Sequence, residues 1–165
     1  QMTPLSTGVI LRGKLLSVAW PLFLVLSATL PGYLVMITLK PELAWQMVQV
    51  LVCLGLTAVF AALLGAAVSS LCRHTATATT IAYLALLGVC AGPLLVWLGR
   101  DAPFGHHFVE TVLIVNPLAA ALNASNNPGF TRYELLPANW WFVGGACLGL
   151  LTLLYFRMWQ LTQPR

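Results

Sequence analysis

The segment Thr-Pro-Leu-Ser-Thr-Gly-Val-Ile-Leu-Arg-Gly-Lys occupies residues 3–14, and residues 15–39, which follow it directly, carry no charged side chain. A membrane-crossing helix needs about 20 predominantly apolar residues, so residues 15–39 are long enough to cross a bilayer once. A short amphipathic segment with two basic residues, Arg12 and Lys14, is typical of a helix that lies on a membrane face before the chain enters the bilayer. This junction predicts a membrane-spanning fold.

The composition of the whole chain agrees with that prediction. Of its 165 residues, 59% are hydrophobic and 7% are charged, and the mean hydropathy is +0.87. Soluble domains carry about 25% charged residues, so lipid is the expected solvent for these surfaces. Nucleic-acid binding is not expected, because no basic run is interleaved with aromatic residues.

Three further apolar runs, at residues 45–71, 78–98 and 139–159, are also long enough to cross a bilayer. One long polar segment, 100–138, separates the last two. Together with 15–39, these runs predict an all-α, polytopic membrane protein with four transmembrane helices in a single domain, residues 1–165.

The polar segment contains an apolar stretch, residues 109–124, that Asn116-Pro117 interrupts. Either side of the break is too short to cross a bilayer, which predicts an interfacial or re-entrant helical hairpin. Asn116-Pro117 is interpreted either as a simple turn or as part of a gate. Pro21, Pro31 and Pro93 lie inside predicted spans and are expected to kink them.

The distribution of charge predicts the orientation of the chain. One set of flanking segments, namely the start, the loop around Cys72 and the end, carries five basic residues and no acid; the other carries three basic residues and all four acids. Basic residues are enriched in cytoplasmic loops. Both termini are therefore predicted to lie in the cytoplasm, and residues 100–138 outside it. The basic residues on the predicted cytoplasmic side are Arg12, Lys14, Arg73, Arg157 and Arg165.

The sequence offers little that could carry chemistry. No acid, lysine or arginine lies near the middle of a predicted span, which argues against a proton- or ion-coupled carrier. No Walker-type phosphate loop is present, so any ATP is expected on another chain. His106-His107 is interpreted as a solvated pair, with a metal or proton site as the alternative. The four cysteines are expected to be small packing residues.

The first residues also resemble a known family. Thr3-Pro4-Leu5-Ser6, followed by Ile10-Leu11-x-Gly13-Lys14-Leu15-Leu16, resembles the cytoplasmic coupling segment of permease subunits of type-2 ATP-binding-cassette (ABC) exporters. Residues 69–78, running on to Tyr83, resemble the family's loop between its fourth and fifth helices. Asn116-Pro117-Leu118 resembles the family's Asn-Pro element before its last helix.

The resemblance implies a function and partners. It implies a permease subunit without its own ATPase site, which pairs with a second permease copy in a homo- or heterodimer. The pair docks a separate ATP-binding subunit that carries ATP and magnesium, in a bacterial cytoplasmic membrane. The implied docking residues, on a coupling helix at 3–14 and the loop after the second span, are Ser6, Ile10, Arg12, Gly13, Lys14 and Arg73. The implied kink and gating residues are Pro21, Pro31, Pro93, Asn116 and Pro117.

The family has six membrane helices per permease, so the resemblance implies that a connecting helix and two spans precede this chain. The transported substrate is not determined by the sequence. From the residues alone, residues 3–14 also suit an ordinary anchoring helix. A non-transporting four-helix scaffold and a membrane enzyme that uses His106 and His107 are the other functions compatible with the sequence.

Overall fold

The computed structural model describes residues 7–72, 74–99 and 105–162. The described residues form six α-helices and one short 3-10 turn, Pro41–Leu43, and no strand. The helices are α1 (Thr7–Leu39), α2 (Ala44–Leu71), α3 (Thr75–Leu98), α4 (His106–Ile114), α5 (Pro117–Ala124) and α6 (Ala138–Thr162).

Four of these helices, α1, α2, α3 and α6, are long and apolar enough to cross a membrane. The shorter helices α4 and α5 meet at an angle of 105°, as expected for a re-entrant segment or a broken span. The predicted all-α fold with four membrane-length helices is therefore confirmed. The predicted interruption at Asn116-Pro117 coincides with the break between α4 and α5.

Helix α1 runs without interruption from Thr7 to Leu39, through Pro21 and Pro31, so the described part of the predicted coupling helix is continuous with the first span. Helix α3 runs from Thr75 to Leu98 and contains the predicted span 78–98. The hydroxyl of Thr80 donates to the carbonyl of Ala76 at 3.0 Å.

The central pair of helices is α2 and α6, which run parallel to each other. Near the start of both, the indole N–H of Trp140 donates to the sulfur of Cys53 at 3.2 Å. Further along, the two helices share one buried cluster, to which α3 adds partly buried side chains. Its buried members are Phe60, Leu63, Ala66, Ala67, Val143, Cys147 and Leu154.

Helix α1 is attached differently. None of residues 20–39 is buried. Its large side chains point outward, with Phe23 61% exposed and Leu34 61% exposed. Thr29 and Thr38 donate to carbonyls of α1 itself. Helix α1 therefore lies against α2 without contributing a buried side chain over this range.

Residues 105–137, which we call the hairpin unit, form a second and denser core. Three of its side chains have no exposed surface, namely Val109 and Leu113 of α4 and Leu135 of the loop after α5. They pack in one cluster with Ala119, Phe130 and Tyr133, against partly buried side chains from the end of α3. The hairpin unit is thus built into the end of the helical bundle where α3 ends and α6 begins.

Candidate functional site

The break between α4 and α5 is organised by the side chain of Asn116, which is fully buried. Its Oδ1 accepts hydrogen bonds from the backbone N–H groups of Leu118 at 2.9 Å and Ala119 at 3.4 Å. Pro117 occupies the first turn of α5, where a missing N–H costs nothing. Asn116-Pro117 is therefore a helix start with both of its usual signals, an N-cap and a first-turn proline.

The amide nitrogen of the same side chain reaches a different helix. Nδ2 of Asn116 donates to the backbone carbonyl of Cys90, in α3, at 2.7 Å. Cys90 lies within one helical turn of Pro93, which is buried. A proline removes one backbone donor from its helix and loosens the preceding turn. The contact therefore supplies a donor to α3 next to the place where the helix has lost one of its own.

Two further asparagines extend this arrangement. Asn139, in the first turn of α6 and 1% exposed, donates from Nδ2 to the carbonyl of Ile114, the last residue of α4, at 2.6 Å. Asn123 donates to the carbonyls of Phe130 and Tyr133, each at 2.8 Å. These amides satisfy carbonyls at the ends of helices and in the loop, which would otherwise be costly to bury.

Aromatic contacts close the hairpin unit on the side of α3. The ring of Trp97 stacks on Phe130 with centroids 4.7 Å apart. At Gly129, an added Cβ would lie 2.9 Å from Cζ2 of Trp97, so this position requires glycine while the indole stays in place. The loop after α5 is therefore seated directly on the end of α3.

The histidines that the sequence singles out lie on the surface of α4. His106 and His107 are exposed, and His106 stacks on Tyr133 with centroids 4.7 Å apart. Glu110 accepts a hydrogen bond from the backbone N–H of Glu134 at 3.2 Å. Among the described residues, no group of three or more histidine, cysteine or acidic side chains is arranged to hold a metal ion.

The predicted docking residues lie in the first turns of α1 or outside the described residues. Ser6 and Arg73 are outside the described part of the chain. Ile10, Arg12 and Lys14 belong to the first turns of α1, and the description of these residues extends only to the backbone. Gly13 is exposed. Their role in docking stays a prediction.

The predicted kink and gating residues fall into two groups. Pro93, Asn116 and Pro117 are buried and lie together, at the junction of α3 with the hairpin unit. Pro21 and Pro31 are exposed on α1, away from that junction. The structure thus places three of these five residues at one buried junction.

Among the apolar grooves along the described helices, two adjoin α2. One, of about 690 Å³, lies between α2 and α6 and includes Val52, Trp140, Gly145 and Leu148 among its lining residues. The other, of about 360 Å³, lies where α1 meets α2 and α6. Both present apolar walls, as expected of surfaces that face lipid or another membrane helix.

Sequence reasoning did not find Asn123, Asn139, Cys90 or Trp97. The one available signal was a polar residue, Asn139, directly before Trp140-Trp141 at the start of a predicted span. In an apolar helix, an asparagine is expected where its side-chain amide forms a hydrogen bond. Cys90 takes part through its carbonyl, which the sequence cannot indicate.

Comparisons with models of known protein families, with curated proteins and with solved structures give no match to this chain. Its fold and the contacts around Asn116 are therefore the observations on which a functional proposal can rest.

Proposed function

We propose that this chain is the membrane-spanning permease subunit of an ATP-driven ABC exporter. It pairs with a second permease copy and docks a separate cytoplasmic ATPase subunit, which holds ATP and magnesium. Residues 6–14, with Arg73, form the docking surface. The hairpin unit lines or closes the exit on the opposite side of the membrane.

The bent α4–α5 pair carries this proposal. It is a short helical pair, bent by 105° at Asn116-Pro117, and it lies between the third and fourth membrane-length helices. This is the position of the Asn-Pro element in the exporter family that the sequence resembles. A helical pair of this kind, between spans and not itself a simple span, suits a structure that lines an exit better than a plain connecting loop does.

The shape of α1 supports the coupling step. Helix α1 has 33 residues, which corresponds to a length of about 50 Å at 1.5 Å per residue. Its first turns carry the proposed docking residues, and its other end adjoins the turn at Pro41–Leu43. Because the helix is continuous, a displacement at Arg12 and Lys14 moves the whole of α1. ATP binding would favour the state in which the docked subunits are closed, and this differential binding would drive the displacement.

Co-purification tests the docking step. The chain is expressed with a candidate cytoplasmic ATPase subunit of the ABC class, and the complex is captured through a tag on this chain. We expect the ATPase to be retained and Arg12→Glu/Lys14→Glu to remove it, because two cations facing the partner become anions. Lys40→Glu reverses a charge at the other end of α1 and is the matched control, which should retain the ATPase.

Equal retention by the Arg12→Glu/Lys14→Glu variant would contradict the docking surface. A wild-type chain that reaches the membrane and captures no ATPase would favour the alternative function, a non-transporting four-helix scaffold.

A further inference from the structure

The contact between Asn116 and α3 lies at a weak point of that helix. Pro93 cannot donate to the carbonyl of Val89, so the helical ladder lacks one hydrogen bond in the turn that contains Cys90. Asn116 Nδ2 donates into this same turn, to Cys90, at 2.7 Å. The side chain is fully buried, so water does not compete for the contact.

The other end of the same side chain fixes α5. Oδ1 of Asn116 accepts from the first free N–H groups of that helix, and Asn139 of α6 donates to the last carbonyl of α4. The two buried amides therefore connect four helices within a few residues of the α4–α5 break. An apolar cluster that includes Leu94, Val96 and Trp97 of α3 surrounds this junction.

Helix α1 has no comparable buried attachment over residues 20–39. Residues 20–39 contribute no buried side chain, and the groove of about 360 Å³ separates part of α1 from α2 and α6. Apolar contacts between helices gain little in lipid, because acyl chains solvate leucine as well as another helix does. Acyl chains offer no donors or acceptors, so lipid cannot replace a buried hydrogen bond between helices.

We propose that Asn116 locks the hairpin unit to α3 at the turn before Pro93, so that α3, the hairpin unit and the start of α6 move as one body. The part of the molecule that moves against this body is α1. The hairpin unit then acts as a fixed end of the bundle rather than as a flap that swings on its own. This inference concerns the chain alone and holds whether or not an ATPase drives the motion.

Electron dipolar spectroscopy on the full chain in lipid nanodiscs tests the proposal. The four cysteines are replaced by alanine, which preserves the Cys90 carbonyl, and spin labels are placed at exposed positions. Thr111 on α4 is paired with Leu84 on α3 and, separately, with Leu34 on α1. We expect a narrow Thr111–Leu84 distance distribution and a broader Thr111–Leu34 distribution. Equal widths for the two pairs would overturn the proposal.

Asn116→Ser removes the hydrogen bond to Cys90 of α3 and keeps an N-cap residue for α5. Serine is also a good N-cap, but it is too short to reach Cys90. We expect the Thr111–Leu84 distribution to broaden to the width of the Thr111–Leu34 distribution, while circular dichroism shows that the helices remain. Asn127→Ser makes the same change at an exposed position of the same segment, where the side chain accepts only from the backbone N–H of Gly129, and should leave the Thr111–Leu84 width unchanged.

If the Asn116→Ser protein folds and its Thr111–Leu84 distance distribution keeps its width, the proposed lock at Asn116 is wrong. If the variant does not fold, the comparison of the two label pairs in the protein with native Asn116 decides the question.

Discussion

In the hairpin unit, Leu113, Leu135 and Asn116 have no exposed surface, whereas none of residues 20–39 of α1 is buried. Helix α1 packs mainly against α2, whereas the hairpin unit packs against α2, α3 and α6, so the two regions differ in their neighbouring helices as well as in burial. The hairpin unit adds buried amides and stacked rings to its apolar contacts, and α1 relies on apolar contact along one face. In a chain of this composition, the buried polar contacts define which parts are rigid, because apolar contact alone competes with lipid.

The largest effect is expected from truncating the buried core of the hairpin unit. Leu113→Ala should lower the free energy of unfolding by about 2–5 kcal/mol, because it leaves a cavity at a site with no exposed surface. Leu34→Ala in α1 is the matched control and should change it by less than about 0.5 kcal/mol. Denaturant unfolding in detergent micelles, followed by circular dichroism, measures both. Similar losses for the two variants would remove the contrast between the regions.

The amide of Asn139 should have the next largest effect. Asn139→Ala leaves the buried carbonyl of Ile114 without its donor, which costs about 1–3 kcal/mol. The side-chain oxygen of the exposed Asn127 accepts only a local hydrogen bond, from the backbone N–H of Gly129 at 3.4 Å. Asn127→Ala should therefore be close to neutral in the same unfolding assay. A neutral Asn139→Ala would show that this amide does not hold α4 to α6.

Gly129 tests whether the loop after α5 is seated on α3. Gly129→Ala places a methyl group 2.9 Å from the Trp97 ring and should lower stability by about 1–3 kcal/mol through overpacking. At Gly32 of α1, an added Cβ meets nothing within 4 Å. Gly32→Ala should therefore raise stability, by up to about 1 kcal/mol, because alanine is the better helix former. In thermal unfolding, we expect Gly129→Ala to lower the melting temperature and Gly32→Ala to raise it. A change in the same direction for both variants would contradict this expectation.

The smallest effect is expected at the contact between α2 and α6. Trp140→Phe removes the indole N–H that donates to Cys53 and should cost about 0.5–1.5 kcal/mol. Trp141 is 81% exposed, so Trp141→Phe should leave the unfolding midpoint unchanged. A larger loss at Trp141 than at Trp140 would show that the exposed face of α6 carries the stability.

The membrane-length helices were predictable because length and hydropathy suffice to define them, and the α4–α5 break was predictable because Asn-Pro is local helix-start chemistry. The sequence predicted one span over residues 15–39 that contains Pro21 and Pro31, and α1 is continuous across both. Whether either proline bends the helix depends on which neighbours satisfy the freed carbonyls, and the kinks stay a prediction.

The contacts that define the candidate site were beyond the sequence for a different reason. Asn116 and Cys90 are 26 residues apart, and Asn139 and Ile114 are 25 apart. Each contact needs two helices to pack at one particular depth and rotation. Residue types fix neither quantity, because many positions along an apolar helix face are nearly equivalent in packing. The sequence marked Asn116-Pro117 as a break, interpreted as a turn or a gate, and only the fold shows both hydrogen-bonding roles of the Asn116 side chain.

The pairing of α2 with α6 has a consequence for the order in which the protein is made. Cys53 and Trp140 are 87 residues apart, an interval that takes a ribosome roughly 4 to 17 s to translate at about 5–20 residues per second. During that time, the face of α2 that carries Phe60 and Leu63 is inserted without its final partner. Lipid, or whichever chain is being inserted beside it, covers that face until α6 arrives. Slowing translation between residues 71 and 138 would therefore lengthen the period in which α2 can pair wrongly.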